Sequence, residues 1–212
     1  MSGRGGIAYA KPSIGIVTLT AAASKLRRPN IGQAVDANDS TDVRVFTISL
    51  DRAVSQRVQL NLAAGYTEAK PNRVGVQGFA GLSFNGRINW NIVPLFSLTG
   101  TASREVNSQN GISATYVIRD EYVTSVNWQL SHASQVSLLG SRVNRDLRGE
   151  VRVSAVAPLL ADRTTSISAA YRYNTSRRIQ LGLRARRQWR TADNPIYTYR
   201  STIISGSLGT RF

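Results

Sequence analysis

The chain has 212 residues, with 27 Lys and Arg against 12 Asp and Glu and a net charge of +15. It has no cysteine, which excludes a disulfide framework and a thiolate metal site. Its longest apolar runs are far shorter than the roughly 20 residues that a membrane-spanning helix needs. The charge consists mostly of single arginines spaced along segments in which polar and apolar residues alternate, so we expect no nucleic-acid partner.

The first residues of the sequence, 1–11, hold three glycines and lack the apolar core of a secretory signal. We therefore expect 1–12 to be an irregular N-terminal segment of a single domain, 1–212. Either an export signal was removed, or the sequence starts inside a longer product. In the second case the chain is N-terminally truncated and forms an incomplete part of a larger barrel.

The dominant periodicity along the rest of the chain is two. From Val58 to Tyr66 alternate residues are apolar, whereas the residues between them are small or polar, which is typical of a strand with one apolar face. The same alternation starts again at Phe96, Val136 and Ile179. These starts lie about 40 residues apart, the length of a hairpin of two membrane-crossing strands.

This pattern predicts about ten antiparallel strands in an up-and-down order. The predicted strands are 13–26, 42–53, 57–67, 74–91, 95–106, 112–130, 136–145, one uncertain region with 149–157 and 163–174, then 178–190 and 197–212. The connections before the four starts are short, at 53–56, 92–94, 131–135 and 174–177. The others are longer and more polar, at 27–41, 68–73, 107–111, 146–163 and 191–196. This asymmetry is typical of an outer-membrane β-barrel, and ten strands would leave both termini on the short-turn, periplasmic side.

The end of the sequence alternates in the same way, and its last residue is aromatic. This series resembles the terminal strand that the outer-membrane barrel assembly machinery reads. We interpret four of its members as an assembly signal, namely Ile204, Gly206, Leu208 and Phe212. The alternative is that Phe212 ends an ordinary amphipathic strand of a soluble β-protein.

Arginines are concentrated near the C-terminus, where residues 142–212 hold 14 arginines and four acidic residues. A charge on the lipid face at mid-bilayer costs ~2–4 kcal/mol, so arginines on the polar phase of a strand are expected to point into the lumen. Such a wall would attract anions. The candidate pore-lining residues are Arg172, Arg184, Arg186, Arg190 and Arg200.

Two observations leave the arginine interpretation open. Arg187 shares the apolar phase of Leu183 and Trp189, so we expect it at the membrane interface, where its stem can snorkel. The arginines could also pair with acidic residues inside a filled barrel, or lie at the rim beside lipopolysaccharide phosphates.

An enzymatic function finds no support in the residues. The single histidine, His132, lies in a predicted short turn and is expected to be a solvated turn residue, so no catalytic residue is assigned. No cluster of metal ligands occurs, although loop carboxylates such as Asp36 and Asp39 could hold calcium. We expect no cofactor.

Several segments share one form, in which a turn is followed by Leu or Val alternating with Ser, Thr and Gly, and then by an arginine. This form in 95–105, together with 171–183 and the Arg211-Phe212 end, resembles the putative β-barrel porin 2 family from about Asp42 onward. The resemblance implies a barrel in the outer membrane of a Gram-negative bacterium, often tied to exopolysaccharide secretion. Members are usually longer and carry a signal peptide, and the resemblance transfers no functional residue.

The sequence therefore predicts an all-β, antiparallel up-and-down transmembrane β-barrel that passes anionic solutes or exopolysaccharide across the bacterial outer membrane. Its expected partners are outer-membrane lipid and lipopolysaccharide, the barrel assembly machinery and an anionic polysaccharide. One alternative is a structural or adhesive barrel whose lumen is filled by side chains. Another is a soluble basic β-protein that binds nucleic acid or acidic glycans.

Overall fold

The structure is a computed structural model that describes residues 2–27, 40–72, 78–107, 116–148, 159–175 and 179–210. These residues form eleven β-strands and one 3-10 turn, Pro195–Tyr197, which precedes the last strand. The strands are β1 Ser2–Lys11, β2 Gly15–Arg27, β3 Ser40–Ala53, β4 Val58–Pro71, β5 Phe79–Val93, β6 Phe96–Asn107, β7 Tyr116–Gln129, β8 Ser134–Arg148, β9 Ala161–Asn174, β10 Ile179–Ala192 and β11 Tyr199–Thr210. Within the described ranges, no helix has the length and apolar character needed to cross a bilayer.

The strands form one sheet in which each strand pairs antiparallel with the next strand in the sequence, from β1 to β11. This order confirms the predicted up-and-down topology. Each strand has 10 to 15 residues, which is enough to cross a bilayer at a tilt. The described sheet is open, because β1 and β11 each have one hydrogen-bonded neighbour within it.

Short and long connections lie at opposite ends of the sheet, as predicted. The connections at the short-turn end are residues 12–14, 54–57, 94–95, 130–133 and 175–178. Those at the long-connection end are residues 28–39, 72–78, 108–115, 149–160 and 193–198. Three strands begin at the residues where the sequence pattern starts, Val58, Phe96 and Ile179.

The expectation of an irregular segment at 1–12 is wrong. Residues Ser2–Lys11 form β1, which pairs with β2 so that Ile7 lies opposite Leu19 and Tyr9 opposite Val17. The turn between them ends at Gly15, whose φ of 102° is readily adopted only by glycine. The glycines that hid this strand in the sequence are accommodated because cross-strand hydrogen bonds satisfy the backbone.

The extra strand changes the placement of the N-terminus. With eleven strands, Ser2 lies opposite Ser24 near the long-connection end, whereas Thr210 lies opposite Ile179 at the short-turn end. The expectation that both termini share the short-turn side is therefore wrong. The uncertain region contributes β9, while its first part, 149–157, lies outside the described residues.

The sheet has two chemically different faces. The apolar face is the one that carries Leu62, Leu138 and Leu183, and many of its large side chains are exposed, including Ile7 at 78%, Leu82 at 72% and Ile204 at 72%. The polar face is the opposite one. No second sheet or helix covers the apolar face in the part of the chain that the structure describes.

The most compact packing lies at the long-connection end. Val117, Leu147 and Leu159 are buried together there, and the partly buried Ala192 and Tyr197 pack against them. Because Val117, Leu147 and Ala192 belong to the polar face by register, this cluster lies on the polar side at the long-connection end. The 3-10 turn, which carries Tyr197, contributes to it.

Candidate functional site

The polar face carries a network of hydroxyl and amide side chains across the middle strands. The Thr67 hydroxyl donates to Ser83 Oγ at 2.8 Å, the Thr99 hydroxyl to Asn89 Oδ1 at 3.1 Å, and the Ser137 hydroxyl to Asn127 Oδ1 at 2.8 Å. These bonds join neighbouring strands through side chains that also favour water. This face therefore has the chemistry of a hydrated lumen and not of a packed core.

The strand register brings four of the five predicted pore-lining residues to this face. Arg172 lies opposite Gly182 on β10, and Arg184, Arg186 and Arg190 alternate along β10 on the same side as Gly182. Arg87 on β5 also lies on the polar face, opposite Asn61 and Thr101. Arg87 was not among the predicted pore-lining residues because it lies far from the arginine-rich C-terminal region.

Arg172 and Arg184 line a groove of about 270 Å³ on the polar face. The groove exists because Gly182 and Ala170 leave space between the longer side chains. Its polar lining also includes Gln135, Ser137, Ser205 and Ser207. Among the described residues, neither arginine has a carboxylate within 4 Å.

Arg186 belongs to a short chain of hydrogen bonds next to this groove. Its Nη2 donates to Gln188 Oε1 at 2.6 Å, and Gln188 Nε2 donates in turn to the Tyr199 hydroxyl oxygen. These neutral partners orient the guanidinium without cancelling its charge. Arg172, Arg184 and Arg186 therefore form a set of cations with no acidic partner in the described structure, which we call the open arginines.

Arg190 has a different environment, although it shares the strand and the face of Arg184. It forms an ion pair with Asp162, which also pairs with Arg145. The Asp162 side chain is fully buried, and Arg145 Nε donates to its Oδ1 at 2.8 Å. The Arg190 guanidinium carbon lies 5.7 Å from the centre of the Tyr197 ring. We call Asp162, Arg145 and Arg190 the arginine clamp.

The arginine clamp lies at the long-connection end, beside the buried cluster of Leu147 and Leu159. One carboxylate between two guanidiniums leaves this group with a single net positive charge, held by charge-assisted hydrogen bonds. The clamp was not predicted from the sequence, because 146–163 was expected to be a long connection. The signal that was present is the phase of Asp162, which is that of Arg172 on the same strand.

The expectation that Arg200 shares the face of the other four arginines is wrong. Arg200 pairs directly with Trp189, and Tyr199 pairs with Arg190, so Arg200 lies on the apolar face. The sequence contained this information, because Arg200 has the same phase as Ile204, Gly206 and Leu208. Arg187 lies on the apolar face opposite Ile167 and Thr202, as its phase predicts.

The residues interpreted as an assembly signal lie on the apolar face as far as they are described. Ile204, Gly206 and Leu208 pair with Ala185, Leu183 and Leu181, respectively. Phe212 lies outside the described residues, as do Asp36 and Asp39, the carboxylates considered for calcium. His132 lies in the short turn between β7 and β8 and is exposed, which confirms its predicted placement.

Residues 34–212 of the chain match the family described as putative beta-barrel porin 2. The match includes every strand from β3 to β11 and leaves out β1 and β2. It therefore includes both the open arginines and the arginine clamp. No curated protein and no solved structure matches the chain.

Proposed function

The chain belongs to the putative beta-barrel porin 2 family, and from this premise we propose that its polar face lines a lumen that favours anions. The family is one of porin-like outer-membrane barrels, which suggests a non-enzymatic role. The finer proposal concerns the charge of the cargo and the residues that select it. We propose the outer membrane of a Gram-negative bacterium as its location.

The observation that carries the proposal is the two-faced sheet, whose apolar face carries no second sheet or helix among the described residues. Leu82, Ile204 and Leu208 are each about 70% exposed on that face. A soluble protein rarely leaves such a large apolar surface uncovered, whereas acyl chains of a bilayer would cover it. This argues against the soluble alternative, and it directs the polar face away from lipid.

The selection of anions follows from the charges on the polar face. The open arginines present three positive charges that no described carboxylate neutralises. A ring or wall of arginines in a pore attracts anions and repels cations. The cargo we propose is therefore an anionic solute or an anionic segment of an exopolysaccharide.

Conductance in planar bilayers tests this proposal. We expect the folded protein to form channels whose reversal potential in a salt gradient indicates anion preference. Replacing the open arginines (Arg172→Gln, Arg184→Gln, Arg186→Gln) should shift the reversal potential toward the cation side while channels still form. A matched control is Arg142→Gln, because Arg142 is exposed on the apolar face.

Two results would contradict the proposal. Folded protein that never carries current would favour the filled, structural barrel, because narrow barrels are readily filled by side chains. If the channels have the same ion preference before and after the triple replacement, the protein is still a pore, but the open arginines do not select its ions.

We also propose that β11 presents its apolar series to the barrel assembly machinery. The support is that Ile204 and Leu208 are among the most exposed large apolar residues of the sheet, on a strand that has one hydrogen-bonded neighbour within the described sheet. Replacing Leu208 with Ser should lower the amount of folded protein in the membrane of expressing cells. Equal assembly of this variant and the parent would count against the proposal.

A further inference from the structure

The apolar face contains a second groove, of about 630 Å³, between β9, β10 and β11. Its apolar lining is Ile167, Ala169, Ala185, Trp189 and Ile204, and its cationic lining includes Arg187 and Arg200. Small residues at Ala169 and Ala185 form the floor between the larger Ile side chains. The groove thus combines an apolar floor with two guanidiniums at one end.

The two arginines are close neighbours in the sheet. Arg187 pairs with Thr202, and Trp189 pairs with Arg200, so Arg187 and Arg200 are diagonal partners on the same face. Diagonal residues on adjacent antiparallel strands have their Cα atoms ~7–8 Å apart. Two long side chains at that separation can reach one phosphate, or two phosphates of one headgroup.

The positive charge of this groove has no acidic counterpart within the described residues. Asp162 is the only acidic residue of β9, β10 and β11, and it belongs to the arginine clamp on the other face. Arg187 and Arg200 are exposed, and neither has a carboxylate within 4 Å in the described ranges. An exposed guanidinium on an apolar membrane face needs water or an anion.

Trp189 lies between the two arginines and indicates their depth. Trp is enriched at the interface between acyl chains and headgroups, and Trp189 pairs directly with Arg200. Arg200 is the second residue of β11, at the long-connection end. Arg200 therefore lies at headgroup depth. Arg187 lies two residues farther into the sheet, and its long stem can snorkel toward the same depth, while Ile204 continues the groove toward the bilayer interior.

From this geometry we propose that the groove is a binding site for a membrane lipid with a phosphorylated headgroup. The phosphate lies between Arg187 and Arg200, and an acyl chain lies along Ile167, Ala169, Ala185 and Ile204. The inference rests on the membrane location in the proposed function and is independent of whether the lumen conducts. Charge-assisted bonds hold the phosphate, and burial of the acyl chain supplies the rest of the affinity.

Binding of diphosphoryl lipid A to the purified protein in detergent micelles, followed by native mass spectrometry, tests the site. Arg187→Gln with Arg200→Gln should weaken binding about tenfold or more, because it removes charge-assisted hydrogen bonds. The matched control is Arg172→Gln with Arg184→Gln, which removes the same charge from the polar face. Lipid A bound equally by the first pair and the parent, or lost equally in both pairs, would overturn the site.

A second measurement keeps the test decisive if the Arg187 and Arg200 variants do not fold. In a Trp90→Phe and Trp128→Phe protein, Trp189 is the remaining tryptophan, and lipid A should shift its emission to the blue. Unchanged emission would overturn the site. Inorganic phosphate at the same concentration should displace no lipid A, and complete displacement would overturn the role of the apolar groove.

Failure of this test is distinguishable from failure of the proposed function. Conductance with anion preference but without lipid A binding would support the pore and contradict the lipid site. Lipid A binding without conductance would support the lipid site and contradict the pore.

Discussion

Two groups of arginines on the polar face of one sheet have opposite surroundings. In the arginine clamp, Arg145 and Arg190 share the buried carboxylate of Asp162. The open arginines lie farther from the long-connection end, where the groove around Arg172 and Arg184 has serine and glutamine neighbours and no described carboxylate. Residue type and strand phase are the same in both groups, so the acidic partner makes the difference.

Because of this difference, we expect the two groups to have separate roles, one in the stability of the fold and one in ion selection. A cation bound to a buried carboxylate has little charge left to offer to a passing solute, but its removal leaves Asp162 with one partner fewer. A cation with neutral neighbours contributes little to folding and keeps its full charge. We therefore expect the clamp to stabilise the long-connection end and the open arginines to set the charge preference of the lumen.

The largest expected effect comes from removing the shared carboxylate. Asp162→Asn leaves two mostly buried guanidiniums facing each other without a counter-charge, which should lower the free energy of unfolding by about 3–5 kcal/mol. Denaturant titration of the protein in lipid vesicles, followed by tryptophan fluorescence, measures this. Asp51→Asn, at an exposed position in β3, should change the value by about 0.5 kcal/mol or less. Equal effects of the two replacements would contradict the stabilising role of the arginine clamp.

The next largest effect should come from the apolar cluster beside the clamp. Leu147 is 4% exposed and packs with Val117 and Leu159, so Leu147→Ala should cost about 2–5 kcal/mol in the same titration. Leu138→Ala, on the same strand but 47% exposed on the apolar face, should cost clearly less. The reverse order would show that the long-connection end is not the stable end of the polar face.

A pair of variants on β10 tests the comparison itself. Arg190→Gln should cost about 1–3 kcal/mol, because Asp162 loses a charge-assisted bond, and should leave the reversal potential nearly unchanged. Arg184→Gln should do the opposite, with a shifted reversal potential and little loss of stability. If Arg190→Gln shifts ion preference as much as Arg184→Gln, the two groups are not functionally distinct.

The smallest expected effect concerns the ring next to Arg190. Tyr197→Leu removes the cation–π contact and should cost about 0.5–1 kcal/mol at this partly exposed position. Tyr197→Phe retains the ring and should restore most of that stability. A Phe variant as unstable as the Leu variant would assign the effect to the hydroxyl group and not to the ring.

Strand phase could be predicted from the sequence because a β-strand alternates its side chains with a period of two. The starts at Val58, Phe96 and Ile179 follow from this, as does the apolar placement of Arg187. Arg200 was predicted on the wrong face because it was grouped with the other arginines by charge, although its strand phase is that of Ile204 and Leu208. β1 was missed because three glycines weaken the apolar signal of Ile7 and Tyr9.

The arginine clamp could not be predicted from phase alone. Phase places Arg145, Asp162 and Arg190 on one face only after the register of β8, β9 and β10 is known. That register is set by the turns and by the pairing of whole strands. Between β8 and β9 the connection 149–160 is long, so the alternation in one strand does not fix the register of the next. Contacts between strands distant in sequence therefore required the structure, whereas the faces themselves did not.

Accessibility along β10 in a bilayer tests the two-faced sheet most directly. The chain has no cysteine, so a single spin-labelled cysteine can be introduced in turn at each position from Gln180 to Ala185. We predict that labels at Leu181, Leu183 and Ala185 collide preferentially with oxygen dissolved in the acyl chains. Labels at Gln180, Gly182 and Arg184 should instead collide with a water-soluble nickel complex. Equal accessibility at successive positions, or the inverted phase, would contradict the orientation on which the lumen and the lipid site both depend.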